Sequence, residues 1–252
     1  MSETVPSLPE AFHLHCYDAV GSTNDEAKAL ARAGAPEGTL VWARTQTAGR
    51  GRRGRAWLSP PGNLYLSLVV RPDMPPPAAA QLGFVAALGL VDGLAALAGP
   101  ALQLRCKWPN DVLINGRKLA GILLESETSA GLPVDFVVIG VGVNILSAPR
   151  GVEYPATSLA AEGIAGITPA LLLEAFVRRF DGWARRWHSD GFAPVRRGWL
   201  ERASGLGELV HVRLERSALS GRFLDLDDDG ALLIDSADGR RRIAAGEIFP
   251  AM

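Results

Sequence analysis

The chain has 252 residues, with 26 basic against 27 acidic side chains and a formal net charge of -1. Its 48% hydrophobic and 21% charged residues exclude wholesale disorder. At this length about three quarters of the unfolded surface can be buried, so a core needs no disulfide or metal. Two cysteines, Cys16 and Cys106, without a CxxC, exclude a disulfide framework and a zinc-ribbon pattern.

The N-terminus, MSETVPSLPE, has no basic n-region and no apolar h-region, so no export signal is expected and the expected location is the cytoplasm. His13 and His15 alternate on a strand-like stretch, but no further Cys/His cluster joins them as a metal site. Residues 22–34 predict a capped helix: Ser22 or Thr23 as N-cap, Asp25 or Glu26 closing a capping box, Gly34 ending it. Strands are expected at 39–45 and 63–70, on either side of a loop rich in glycine and arginine. After prolines 75–77 the apolar run 78–98 predicts a central buried helix whose small residues permit close packing. Its most apolar part, 83–98, is short for a bilayer span and carries Asp92, so no membrane segment is expected.

A strand is expected at 102–106. Strands at 111–114 and 118–125 then flank Asn115-Gly116, a strong hairpin signal. Residues 134–145 form a further apolar strand. From 169 to 187 Phe176, Phe180, Trp183 and Trp187 recur at helical spacing on one face, and Glu174–Arg178 and Asp181–Arg185 are favourable i, i+4 pairs. Beyond Ser204-Gly205-Leu206-Gly207 short strands with turns at Asp228-Asp229-Gly230 and Ala237-Asp238-Gly239 predict a small β-barrel.

Three segments can carry chemistry. Residues 49–54 spell G-x-G-x-x-G, but the loop runs into Pro60-Pro61 and a strand, so no helix N-terminus is available for a dinucleotide. Four arginines in six residues could mark nucleic-acid binding, yet the net charge is not basic. The better reading is a mobile lid: glycines let it fold over a small anion, arginines meet the charge and Trp57 offers a flat face. The second segment is Lys107-Trp108-Pro109-Asn110-Asp111, continuing to Lys118 and Glu125. Only three of the basic residues are lysines, and two of them stand here. Lys107 could be a snorkelling surface lysine and Asn110-Asp111 a turn; a polyphosphate site is favoured because a compact ammonium is kept where arginine is the habit. The third is Gly140-Val141-Gly142-Val143-Asn144, where strand glycines signal close approach of a ligand or backbone. Asn144 is open to two readings, ligand contact or strand-end cap.

Together these residues resemble the biotin protein ligases. The resemblance rests on Ser22-Thr23-Asn24, Gln46, the loop 49–62, KWPND at 107–111, KLAGIL from Lys118, and 140–144, in order from about residue 16 onward. It implies an α+β fold: a mixed β-sheet catalytic domain packed with helices over 1–205, and an SH3-like β-barrel over 206–252. It implies that ATP and biotin, with Mg²⁺, give biotinyl-5′-AMP. A lysine of a biotin carboxyl carrier protein of a biotin-dependent carboxylase then attacks the mixed anhydride.

By the same resemblance Lys118, Arg52 and Lys107 are the catalytic candidates. Ser22, Thr23, Asn24, Gln46, Arg50, Gly51, Arg52 and Lys118 would bind biotin. Arg52, Arg55, Trp57, Asn110, Asp111 and Asn144 would bind ATP and the adenylate, with Trp57 flanking the adenine; the metal ligands stay unassigned. Since the first motif arrives at Ser22, the monofunctional type is expected, without an N-terminal DNA-binding domain and without specific DNA as a partner. A homodimer is compatible with the family. The alternative is the sister family of lipoate and octanoate ligases and transferases, whose transferases need a cysteine that neither Cys16 nor Cys106 matches in setting.

Overall fold

The computed structural model describes residues 6–99, 102–128 and 133–250. The first five residues, read above for an export signal, and the last two of the C-terminal unit lie outside them. Seven strands form one sheet: β1 (His13–Val20), β2 (Thr39–Gln46), β3 (Leu64–Val70), β4 (Leu104–Lys107), β5 (Asp111–Ile114), β6 (Arg117–Glu127) and β7 (Phe136–Val143). Their order is β1-β2-β3-β7-β6-β5-β4. β1 and β2 run parallel, joined through α1 (Thr23–Arg32), and the other neighbours pair antiparallel. The sheet is mixed, as expected.

The period of two along each strand sorts side chains between two layers. Val41, Val69, Phe136 and Val138 meet Ala27 and Ala31 of α1. Leu40, Trp42, Leu66, Leu68, Ile139 and Val141 join the larger core with α3 (Leu82–Ala98) and α4 (Pro169–Asp190). The stretch Pro76–Ala98 is long and apolar enough to cross a membrane by composition, but 72% of its most apolar window is buried inside the protein. A Cβ at Gly89 would stand 2.9 Å from the Phe180 backbone, and one at Gly93 3.1 Å from the Phe176 nitrogen. The expected close packing is therefore glycine-mediated. Asp92 is the exception in this apolar helix; it accepts from Trp183 Nε1 at 2.8 Å and pairs with Arg202 at 3.1 Å.

The long helix is split into α2 (Pro76–Ala79) and α3. The join is closed by i+3 bonds, Gln81 N–H to Ala78 O at 3.0 Å and Phe84 N–H to Gln81 O at 2.9 Å. Gln81 uses the turn to tie Trp187 Nε1 and Asp228 O together. At α1 the capping box is not formed. Ser22 occupies the N-cap in an extended conformation but its side chain makes no cap bond, and Asp25 is drawn to Arg50 and Lys28 instead. Gly34, at φ +88, follows the helix end as expected. The Asn115-Gly116 turn has both residues at positive φ, 49 and 73, as the favoured two-residue hairpin requires.

A fifth helix, α5 (Phe192–Leu200), was not expected. Gly191 at φ +73 breaks the chain before it, and Pro194 and Gly198 spoil its periodicity. After it the predicted meander is present as β8 (Leu209–Arg213), β9 (Ala218–Leu226), β10 (Leu232–Ser236), β11 (Gly239–Ile243) and β12 (Glu247–Pro250). They make an antiparallel sheet in the order β11-β10-β9-β8-β12. Trp108 Nε1 donates to Gly230 O at 3.1 Å and Arg196 Nε to Leu226 O at 2.6 Å, fastening this sheet to the larger unit.

Candidate active site

The face of the large sheet that carries α1 changes character along its strands. Val138 of β7, Val69 of β3 and Glu125 of β6 lie level with the helix. Two residues further along each strand stand Gly140, Ser67 and Leu123, and after them Gly142, Tyr65 and Gly121. Where side chains shrink to glycine a cavity of about 510 Å³ opens, a size ordinary for a small-molecule site. All fourteen of the site residues named above line it: Ser22, Thr23, Asn24, Gln46, Arg50, Gly51, Arg52, Arg55, Trp57, Lys107, Asn110, Asp111, Lys118 and Asn144.

The strand glycines prove to admit side chains of the protein itself. Trp57 lies on Gly121 and Gly142: Cβ atoms there would stand 3.1 and 2.6 Å from its indole. A Cβ at Gly140 would overlap Asn24 Oδ1. Trp57 Nε1 is buried and has no hydrogen-bond partner among the described residues.

The glycine- and arginine-rich loop folds back on itself beside this floor, Trp57 N–H bonding Gly49 O at 2.9 Å and Gly51 N–H bonding Arg55 O at 2.7 Å. No helix suited to a pyrophosphate follows, only the 3-10 turn Arg52–Gly54. Its arginines are clasped from two sides. Arg50 makes a two-pronged pair with Asp25 of α1, at 2.6 and 2.7 Å, and this guanidinium holds the Asp25 carboxyl down at about 2. Arg52 Nη1 donates to Gly246 O at 3.1 Å, and Arg55 pairs with Glu247. Burial pushes the Arg52 pKa below the usual arginine value.

One end of the cavity is cationic. Lys107 and Asp111 are buried, and Asp111 stands between Lys107 at 3.3 Å and Lys118 at 2.6 Å. The closer contact is an ion pair without hydrogen-bond alignment, so Asp111 Oδ1 keeps acceptor capacity. Burial lowers the Lys107 pKa, against the pull of Asp111. Its ammonium also sits over Tyr154 at 4.4 Å and Phe249 at 5.4 Å, contacts favourable to a cation. It is no surface lysine.

The other end is neutral and rich in hydrogen bonds. Gln46 Oε1 accepts from Thr23 N–H at 2.8 Å, and Gln46 Nε2 donates to Ser59 at 2.9 Å. Asn24 Nδ2 donates to Glu125 at 2.6 Å. Burial alone would raise the Glu125 pKa, but hydrogen bonds from Asn24 and Lys28 hold it below the usual value. Asn110 and Asn144 are committed to backbone, donating to Ile122 O at 2.7 Å and Thr157 O at 3.1 Å. Asn144 braces the strand end through this bond and also lines the cavity.

Sequence reasoning missed Tyr154, Glu247 and Phe249, which also line the cavity. No motif marks them, since they come from a connecting loop and from β12. His13 and His15 lie on β1 without forming a metal cluster, and among the described residues no group of three or more His, Cys, Asp or Glu could hold one. Neither cysteine lines the cavity, and burial pushes the Cys106 thiol up to about 12.

A neutral, hydrogen-bonding end joined to a cationic end suits a ligand with a polar uncharged head and an anionic tail. Comparison with known proteins agrees. Residues 18–144 match the model of the biotin/lipoate A/B protein ligase family, and residues 205–249 that of the biotin protein ligase C terminal domain. The chain is 46% identical over 233 residues to the biotin--[acetyl-CoA-carboxylase] ligase of Paracoccus denitrificans, covering 90% of this chain and 96% of that one. It is 37% identical over 243 residues to the bifunctional ligase/repressor BirA of Bacillus subtilis, covering 94% of this chain and 73% of that protein. In structure it is similar to the Aquifex aeolicus biotin protein ligase in complex with biotin and ATP, with a TM-score of 0.80, 27% identity and coverage of 94% and 97%.

Proposed function

The chain belongs to the biotin/lipoate A/B protein ligase family and is a biotin protein ligase, and we propose from the cavity how its residues divide the work. The overall reaction joins biotin to a carrier protein at the expense of ATP. The biotin carboxylate attacks the α-phosphorus of ATP, releasing pyrophosphate and leaving biotinyl-5′-AMP. The ε-amine of a carrier lysine then attacks the acyl carbon and AMP leaves. The proposed carrier is the biotin carboxyl carrier protein of a biotin-dependent carboxylase, a reading supported by the Paracoccus relative's name, and the proposed location is the cytoplasm.

In the first step two anions must meet, so fixed positive charge at the reacting atoms lowers the barrier. Lys118, Arg52 and Lys107 supply it. Lys118 faces the carboxylate and the α-phosphate, while Asp111 holds both lysine ammonium groups in place beforehand. Thr23, Asn24 and Gln46 hold the ureido end of biotin, with Ser22 beside them. Arg50 acts through its backbone and its clasp on Asp25, because its guanidinium is already committed there. Arg55, Asn110 and Asn144 belong to the nucleotide side, and Trp57 flanks the adenine. The loop shields a hydrolysable anhydride from water.

Magnesium fits this site as an ion carried in by ATP. Among the described residues no group of three His, Cys, Asp or Glu forms a cage, so Asp111 would be a single carboxylate partner, a pattern usual for Mg²⁺ held largely by phosphates and water. When bound it would neutralise charge on the phosphate oxygens. We place the boundary between the two units at 205/206 and take the C-terminal sheet as an SH3-like barrel, supported by the match over 205–249.

The observation that carries these assignments is the convergence of all fourteen residues on one cavity. The test is ATP-dependent transfer of labelled biotin to a purified carrier domain. Incorporation that needs the carrier lysine and is not supported by lipoate is expected. Transfer of lipoate or octanoate instead would move the chain to the sister activity.

A further inference from the structure

Behind the hydroxyl and amide end of the cavity stand two residues that do not line it, Ser67 of β3 and Glu125 of β6. Ser67 is fully buried, with Thr23 and Asn24 only 4% and 3% exposed. The Ser67 oxygen lies 2.6 Å from Asn24 Oδ1 and 2.8 Å from Thr23 Oγ1. Asn24 Nδ2 lies 2.6 Å from Glu125 Oε2, and Glu125 is also gripped by Lys28 at 3.0 Å.

Hydroxyl hydrogens in such a network follow from who can donate. An ionised Glu125 only accepts, so the Asn24 amide nitrogen must face it and the Asn24 carbonyl must face Ser67. That carbonyl only accepts, so the single Ser67 hydrogen goes to it. The Ser67–Thr23 contact then needs the hydrogen of Thr23. Thr23 Oγ1 also lies 3.1 Å from Gln46 Oε1, but the shorter contact to Ser67 claims the proton. No protein hydrogen is then directed at Thr23 Oγ1: one lone pair lies toward the Gln46 carbonyl, which already faces the Thr23 backbone, and the other is left for a ligand.

We infer that Ser67 and Glu125 are positioning residues that fix the hydrogen-bond polarity of the biotin pocket, holding Thr23 Oγ1 as an acceptor for a ureido N–H. The inference rests on the biotin reading and adds a source of specificity to it. The Glu125 charge, three hydrogen bonds away from Thr23 through Asn24 and Ser67, selects a head group that donates. A ligand head that can only accept meets lone pairs facing lone pairs, the kind of mismatch by which a polar site rejects an analogue.

The test compares biotin with an analogue in which the ureido N–H groups are replaced by oxygen, in biotin-dependent pyrophosphate exchange by the full chain. Parent, Ser67→Ala and Glu125→Gln are measured with both acids, and the KM for ATP is recorded in each. Ser67→Ala frees the Thr23 hydroxyl to turn and donate, and Glu125→Gln lets the Asn24 amide reverse. In both variants the KM for biotin is expected to rise about tenfold, the equivalent of one neutral hydrogen bond. The preference for biotin over the oxygen analogue should fall by a similar factor, while the KM for ATP stays at the parental value. Glu125→Gln keeps the shape of the side chain, so it carries the test alone if Ser67→Ala does not fold. If both acids lose by the same factor, or neither loses, the polarity argument is overturned and these residues only support the fold. A parent chain that shows no biotin-dependent exchange would overturn the biotin reading itself, which is a different result.

Discussion

Trp57 can lie against β6 and β7 because residues 121 and 142 carry no side chain. Gly142→Ala places a methyl group 2.6 Å from the indole, so the ring must lift and the side of the cavity proposed for the nucleotide loses its wall. Affinity for biotinyl-5′-AMP is expected to fall by roughly tenfold or more, the scale of an overpacked site costing ~1–3 kcal/mol. Biotin alone should be affected much less, because Thr23 and Gln46 are untouched; titration of both ligands by calorimetry checks this, and equal losses would contradict it. At this scale much was legible beforehand. In a chain that writes arginine wherever charge suffices, two lysines around KWPND pointed to a site, and both line the cavity. The third, Lys28, braces Glu125 from behind. What could not be read was the direction of each side chain: Arg50 carries a charge suited to a ligand, yet spends it on Asp25.

Between elements, glycine decides how closely α3 and α4 pack. Gly89→Ala gains helix propensity worth about 1 kcal/mol but drives a methyl into the Phe180 backbone, so a net loss of about 1–2 kcal/mol is expected. Gly182→Ala, in α4 with open space around it, should instead stabilise by about 1 kcal/mol. Urea midpoints of the two variants should move in opposite directions. The clasp between the loop and α1 has its own signature in acid. Asp25 titrates at about 2 in the folded chain against an ordinary 3.8, so its pairing contributes fully above pH 4 and is lost as the pH falls through 2. The stability difference between the parent and Asp25→Asn should therefore be constant from pH 5 to 7 and shrink between pH 4 and 2. A difference that persists at pH 2 would contradict the clasp. Helix and hairpin signals at this scale were largely readable, since Asn115-Gly116 and the Phe176–Phe180 face are local. The split at Gln81 was not, because its cause is a contact with Trp187 and Asp228 far along the chain. α5 was missed because Pro194 and Gly198 mask its pattern while Phe192, Val195 and Trp199 are held by tertiary burial.

Across the whole molecule the C-terminal sheet reaches into the cavity. Gly246 and Glu247 hold Arg52 and Arg55, and Phe249 stacks near Lys107 while Arg213 pairs with Glu153. Glu247→Ala is expected to loosen the loop, seen as several-fold faster tryptic cleavage within residues 50–55, where opening controls proteolysis. Unchanged cleavage would mean that the clasp on α1 suffices. Nothing in the sequence announced this arrangement: motifs report residues that are close in the chain, whereas β12 meets the loop from nearly two hundred residues away.

The most direct test is exchange of labelled pyrophosphate into ATP by the parent chain and Lys118→Ala, with biotin or lipoate as the acid. Exchange is expected to require biotin, to find no support from lipoate, and to fall by about 10²–10³ in Lys118→Ala, as removal of one transition-state charge partner does. Parental exchange in Lys118→Ala, or exchange supported by lipoate as well as by biotin, would contradict it.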